Sequence, residues 1–329
     1  MRAIFCAAIG AILLWGCGGE KNKKTEPEQP VRIVKVPEFN GDSAYAIVKH
    51  QIDFGPRIPN TPPHNQAGDY LIAELKRLKA VVTVQEFDAT TYDGHHVRLR
   101  NIIGTFNPEK QKRILLAAHW DTRPFADKDE SKKDPTFEGA NDGASGVGIL
   151  LEIARHVSAE PPSAGIDIIL FDGEDWGQKD NESRTKPPGD LDSWWCLGSQ
   201  YWSKHKHKPN YSAYYAILLD MVGAKDSHFF REGTSLEYAP KILDKVWNTA
   251  ERLGFSNVFV KQNAGAIEDD HVYVNKDARI PMIDIVHYDP RVGYFGDYHH
   301  TRKDNLGLIS KETLDIVGTV LMNVIYYEE

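Results

Sequence analysis

Residues 113–121, RILLAAHWD, set an almost unbroken apolar run directly before a histidine, a tryptophan and an aspartate. Similar runs ending in polar residues return at 166–175 (IDIILFDGED), 214–220 (YYAILLD) and 282–287 (MIDIVH). A strand covered on both faces has to be apolar at nearly every position, whereas a half-exposed strand alternates. Segments of helical periodicity separate these runs: 143–157, with Val147, Leu150, Leu151, Ala154 and Val157 on one face, then 195–205, 235–253 and 310–326. Strand and helix alternating in this order predict an α/β protein, a three-layer α/β/α sandwich around a mostly parallel mixed sheet.

Working outward, the strands expected at 81–87 (VVTVQEF) and 97–106 (VRLRNIIGTF) are joined by the short segment TTYDGHH, which predicts a hairpin and therefore antiparallel strands at one end of the sheet. Two amphipathic helices precede them. One carries Ala44, Ile47, Val48 and Ile52 behind a cap at Asp42 and Ser43, and the other, over 64–79, carries Leu71, Ile72, Leu75 and Leu78. A further short strand is expected at 257–260. No repeat and no Gly/Ser-rich linker divides the body, so residues 41–329 read as one catalytic-sized domain. With 329 residues and 41% hydrophobic content the chain can bury a sizeable core.

The beginning of the chain reads differently. Arg2 precedes an apolar stretch over 3–15, too short to span a bilayer, which predicts a signal peptide over 1–16. The LLWGC sequence ending at Cys17 resembles a bacterial lipobox, so Cys17 is expected to carry lipid and the polar residues over 17–40 to form a flexible tether. The expectation is an exported bacterial lipoprotein, facing the periplasm or anchored in the outer membrane. Of the three cysteines, Cys6 and Cys17 fall in this segment, which leaves Cys196 without an internal disulfide partner. Its context, SWWCLGSQYW, predicts a buried small apolar residue. Lys and Arg number 39 against 47 Asp and Glu, a net charge of -8 with no basic stripe, which argues against a nucleic-acid partner.

In an open α/β sheet the carboxyl ends of parallel strands share one crevice, so polar residues placed there can meet although far apart in sequence. His119 and Asp121 lie on the same side of an extended segment, fit either for a structural hydrogen bond or for a carboxylate holding the outer nitrogen of a metal-bound imidazole. Asp142, before the helix that starts GASGV, reads equally as a helix cap or a ligand. Glu174 and Asp175 put adjacent carboxylates at the tip of a buried strand, which predicts a cation for one and a raised pKa, suited to proton transfer, for the other. Asp220 ends a buried strand and needs a partner. Asp269, Asp270 and His271 open a short helix, and of the neighbouring His299 and His300 only one is expected to reach a given ion. His287 reads as a core hydrogen-bonding residue. Trp176, Trp194, Trp195 and His299 are candidates to line a cleft. One histidine and two carboxylates around an open position make a catalytic zinc site.

The ordered series HWD, ND before a helix, ED after FDG, LLD, DDH and HHT resembles the zinc-dependent aminopeptidase superfamily, and within it the bacterial glutaminyl cyclases of the animal-like type, over residues 40–329. The resemblance implies one zinc ion held by Asp142, Asp175 and His300, with Glu174 as general acid/base and Asp220 and Asp269 in a proton-relay network. The implied reaction is cyclisation of N-terminal glutamine on peptides or proteins, releasing ammonia. In the peptidases the same pattern holds a second zinc through residues matching His119 and Asp220, so a two-zinc aminopeptidase is the alternative. Asp-Asp-His at 269–271, where the peptidases carry Ser-Asp-His, favours the cyclase. Two departures stand out: Asp175 is a shorter carboxylate than the family's usual Glu, and His299 replaces the Trp of the animal enzymes.

Overall fold

The computed structural model describes residues 34–130, 135–179, 182–288 and 293–328. The export segment, Cys17 and the tether up to residue 33 lie outside the described residues. The compact unit is Lys35–Glu329, so it begins before residue 41. Phe39, assigned to the tether on composition, is buried against Gly318.

Two helices open the unit, α1 (Gly41–Asp53) and α2 (Pro62–Arg77). Asn40, not Asp42 or Ser43, caps α1, accepting from the Ser43 amide, and Thr61 caps α2, with proline in its first turn. Then come β1 (Val81–Thr90) and β2 (His96–Phe106), the expected antiparallel hairpin, paired from Val81 opposite Thr105 to Thr90 opposite His96. The remaining sheet strands are β3 (Arg113–His119), β4 (Gly165–Phe171), β5 (Tyr215–Asp220) and β8 (Met282–Val286). The order is β1-β2-β4-β3-β5-β8. β2 meets β4 antiparallel, while β4, β3, β5 and β8 run parallel. A mixed sheet with its antiparallel pair at one end is therefore what forms, and β4, β5 and β8 are buried at every position.

Side chains alternate across the sheet. Leu115, Ala117, Ile169, Phe171 and Leu218 pack with Trp202 of α4 (Leu197–Lys204) and with Val274 and Ala278 of a π-helical segment. The opposite face receives α3 (Ala144–Ala159), which packs with α1 and α8 (Lys311–Tyr326). At Gly146 a Cβ would stand 2.9 Å from that of Ala118, so a glycine is required for α3 to lie this close to the sheet. A side sheet pairs β6 (Phe229–Arg231) with β7 (Phe259–Asn263); β6, three residues long, has too little pattern to be read from sequence.

The helix expected over 235–253 is two helices, α5 (Gly233–Tyr238) and α6 (Pro240–Arg252). Pro240 has no amide hydrogen to continue α5, and it starts α6 instead. α7 (Asp270–Tyr273) is the short helix expected after Asp269. β4 lies on one side of β3 and β5 on the other, which makes the end of β3 a point where connections diverge and a crevice opens.

Candidate active site

The crevice collects the polar residues that follow the strands. His119 is the last residue of β3 and Asp220 the last of β5. Glu174 and Asp175 follow β4, Asp142 precedes α3, and Asp269 caps α7 through its own carboxylate. Asp142 is not a helix cap: Gly143 occupies that position, without any side-chain bond.

Asp142 lies between two histidines. Its Oδ1 is 3.0 Å from His119 Nε2 and its Oδ2 3.7 Å from His300 Nε2. His300 Nε2 also lies 3.1 Å from Asp175 Oδ1. Donor atoms bound tetrahedrally to one zinc ion are about 3.3 Å apart, given zinc bonds of about 2.0–2.1 Å, and the two separations at His300 bracket that value. His119 Nε2 is also 3.2 Å from Asp220 Oδ1, and its Nδ1 faces Asp121 Oδ1 at 3.5 Å. Asp121 in turn accepts from the Glu174 and Asp175 amides at 3.1 and 3.2 Å, tying the end of β3 to the loop after β4.

Their surroundings shift the two histidines in opposite directions. Burial pushes the His300 pKa well down, assisted by His299, Arg123 and Lys128, which leaves a neutral ring with a lone pair to offer a cation. Burial acts against charge on His119 too, but Asp121, Asp142 and Asp220 outweigh it and raise its pKa well above the ordinary value. Among the carboxyls, burial and then mutual repulsion dominate. The pKa of Asp175 is pushed well up by burial and by Asp142, and that of Glu174 by burial, Asp269 and Asp175, against the pull of His119. Asp220 rises to about 7, through burial and the charges on Asp142 and Asp269. A group of buried carboxyls that resist ionisation together, beside an imidazole whose Nε2 lies 3.1 Å from Asp175 and 3.7 Å from Asp142, suits a divalent cation.

Glu174, Cys196 and Asp269 offer atoms within 4.8 Å of one another, and the Cys196 thiol donates to Glu174 Oε1 at 3.2 Å. Cys196 is buried, as its context predicts, but its partner is a polar one. His299 and His300 are also closer than adjacent residues would be expected to be. Their ring centroids are 3.7 Å apart, and both, with Asp142, bring donor atoms within 4.8 Å of one another. The backbone of His300 is left-handed, φ 56°, which turns its ring back beside that of His299. His299 is kept neutral by burial, Lys128 and Arg123, and its Nδ1 faces Lys128 Nζ at 3.1 Å.

A cavity of about 310 Å³ opens over this cluster, lined among others by Glu174, Trp195, Met221, Ile267, Phe295 and His299. A larger groove of about 690 Å³, among β1, β2 and α4, touches none of the clustered groups and so is not the reaction site. Of the aromatics expected in the cleft, Trp195 is there, its ring 5.8 Å from that of His300 and nearly parallel at 8°. Trp176 is not: it packs with Phe87, Val97, Leu99 and Leu197, and its indole nitrogen donates to Asp93. Trp194 lines a neighbouring groove and donates to Thr185. Loop direction decides which face of a strand-end tryptophan is presented, and residue spacing does not encode it.

Three buried residues that shape the site went unread in the sequence. Asp304 accepts from the amides of Asn141 and Asp142 at 2.7 and 3.2 Å, fixing the backbone of Asp142. Arg123 donates from its amide to Asp175 Oδ2 at 3.0 Å and from its guanidinium to the Asp175 carbonyl at 2.9 Å, and lies over Trp195. Arg57 donates to the carbonyls of Trp120, Glu138 and Gly139 behind the cluster. Charged residues in short loops, TRPF and RKDN, carry no periodicity that could have singled them out.

The model of peptidase family M28 matches residues 101–325. The structure is similar to the glutaminyl cyclase of Bacteroides thetaiotaomicron bound to N-acetylhistamine, 48% identical over 90% of this chain and 100% of that one, TM-score 0.86. It is also similar to the Tannerella forsythia glutaminyl cyclase, 49% identical over 89% and 100% of the two chains, TM-score 0.85. A zinc-dependent exopeptidase from Parabacteroides distasonis is 50% identical over 89% and 100%, TM-score 0.85.

Proposed function

Starting from the membership of this chain in peptidase family M28, we propose that it is a zinc-dependent glutaminyl-peptide cyclotransferase, which converts N-terminal glutamine of peptides or proteins into pyroglutamate. Two solved cyclases aligned along their full lengths support the activity. The choice of one zinc rests on Asp-Asp-His at 269–271, where the peptidases carry Ser-Asp-His, together with the grouping at His300. His300, neutral and flanked by Asp142 and Asp175, completes a set of one histidine and two carboxylates. His119, Asp142 and Asp220 keep the two-zinc aminopeptidase as the second reading, because their donor atoms also lie within 4.8 Å of one another, where a peptidase would hold its other ion.

Zinc, when bound by Asp142, Asp175 and His300, supplies a Lewis acid that polarises the side-chain carbonyl and favours the developing oxyanion. The residues do the remainder. The substrate's α-amino nitrogen attacks Cδ of its own glutamine side chain and the bond from Cδ to the amide nitrogen breaks. Glu174, its pKa raised by burial and by Asp269 and Asp175, takes the proton from the amine and returns it to the leaving nitrogen, which departs as ammonia. Asp220 and Asp269, both facing the cavity, hold and orient the amine. Trp195, Met221, Ile267 and Phe295 give the cavity over the reacting atoms its apolar lining. No water enters as a nucleophile, so one metal suffices.

The test is incubation of the purified chain with a Gln-initiated and a Leu-initiated peptide, with and without chelator, followed by mass spectrometry. Chelator-sensitive loss of one ammonia from the first peptide supports cyclisation. Removal of the first residue from either peptide instead makes the protein an aminopeptidase. Export with lipid on Cys17 rests on the LLWGC sequence alone; incorporation of labelled palmitate that is lost in Cys17→Ala tests it.

A further inference from the structure

Outside the residues with assigned roles, one neutral group touches the reacting carboxyl. The Cys196 thiol donates to Glu174 Oε1 at 3.2 Å, and no other side chain among the described residues is seen donating to that carboxyl. Two backbone bonds hold the pair in place. The Cys196 amide donates to the Glu174 carbonyl at 2.9 Å, and the Leu197 amide to the Gly173 carbonyl at 3.0 Å, so the start of α4 is clamped on the turn that carries Glu174.

The clamp has a local cost. Cys196 lies in the left-handed region, φ 57° and ψ 37°, at the position before α4, where a residue with a Cβ is strained and glycine would be relaxed. Strain of this kind is characteristic of functional sites. Burial, and then the charges of Glu174, Asp270 and Asp269, push the thiol pKa well up, so sulfur keeps its proton and remains a donor.

We propose that Cys196 is a positioning residue of the cyclisation: by donating to Oε1 it fixes the rotamer of Glu174 and leaves Oε2 as the atom that carries the proton. A carboxyl free to rotate would divide its population between orientations, only some of which place an oxygen on the line between attacking and leaving nitrogens. Removing the donor therefore lowers the rate of the chemical step and leaves binding of the peptide nearly as it was. The proposal rests on the cyclase reading given above.

The test compares the full chain with Cys196→Ala, Cys196→Ser and Glu174→Gln. In Cys196→Ala, kcat is expected to fall about tenfold while KM stays within about twofold, the signature of an interaction that serves the transition state. In Cys196→Ser, which keeps an O–H donor, most of that loss is expected to be recovered. A merely structural cysteine would leave Ser and Ala equally impaired at equal melting temperature, and that result overturns the proposal, as does wild-type kcat in Cys196→Ala. Infrared spectroscopy tests the contact without turnover. The S–H stretching band that disappears in Cys196→Ser is expected to move to higher frequency in Glu174→Gln, whose neutral acceptor is weaker; an unmoved band refutes the contact even if Cys196→Ala fails to fold. If the wild type cyclises no Gln-initiated peptide, the cyclase reading fails, while the infrared band still decides the contact.

Discussion

Replacing Asp304 by asparagine tests how the backbone holds the proposed ligand Asp142. The carboxylate is fully buried and uses one oxygen for the Asn141 amide and the other for the Asp142 amide, at 2.7 and 3.2 Å. In Asp304→Asn only one oxygen remains. Whichever way the new amide turns, its NH2 faces one of two backbone N–H groups, and that donor is left buried without an acceptor, at a cost of about 1–3 kcal/mol. Arg57 suffers as well. Burial already lowers its pKa to about 10, and Asp304 is the foremost of the charges that oppose the shift. Together these losses destabilise the fold by about 2–4 kcal/mol, or roughly 5–10 °C in Tm. The functional effect is separate: once the Asp142 amide is unheld, zinc affinity should fall about 10–100-fold, as when an outer partner of a metal ligand is removed. Thermal unfolding of the metal-free protein and zinc titration by calorimetry measure the two. Zinc affinity within twofold of wild type, in a variant that is folded but less stable, would refute the argument that Asp304 positions a ligand.

Further outcomes follow from the same geometry. Glu174→Gln should lower kcat by about 10²–10⁴ while zinc still binds, read by steady-state kinetics beside metal analysis; loss of the metal would instead make Glu174 a ligand. Arg123→Lys exchanges the planar guanidinium, which donates to the carbonyls of Asp175 and Gly177 and lies over Trp195, for a point-like ammonium that cannot keep all three contacts; it should weaken zinc binding and perturb tryptophan fluorescence, and unchanged values of both would show that Asp175 is positioned by the backbone alone. Acid stability should depend on Glu232. Burial opposes its ionisation, but bonds from His271 and from the Ser235 and Thr234 amides bring its pKa down to about 2. A carboxyl with a depressed folded-state pKa stabilises the fold above its unfolded pKa and loses that contribution as pH falls toward the folded one. Wild type should therefore lose about 2–3 kcal/mol between roughly pH 4.5 and 2, and Glu232→Gln should show a flatter profile there, measured by urea unfolding at each pH.

The extent to which the site could be read in advance follows from where each residue lies. His119 and Asp220 close strands whose apolar runs are unmistakable, and Glu174 and Asp175 sit directly beyond a third, so strand ends alone place them in one crevice. Asp142, Asp269 and His300 lie in loops, where convergence depends on turns that periodicity does not describe; resemblance to a family supplied them. Trp176 and Trp195 show the limit. Trp176 follows a strongly patterned strand and Trp195 a long polar loop, yet the first packs into the hairpin and the second faces His300, because the direction of each side chain is set by the loop. Asp304 and Arg57 act on backbone groups of remote loops, and Cys196 was read as apolar because its contribution is one S–H bond. The single helix expected over 235–253 failed at a residue with an obvious physical meaning, Pro240, whose position one turn inside the apparent pattern marks a restart.

The central claim is that Asp142, Asp175 and His300 converge on a single zinc ion and that His119 and Asp220 hold none. Anomalous diffraction at the zinc edge, from crystals grown with excess zinc, addresses it directly. One strong peak in contact with Asp142, Asp175 and His300 is the predicted result. A second peak of comparable height, bound by His119 and Asp220, would contradict it and return the protein to the two-metal aminopeptidases.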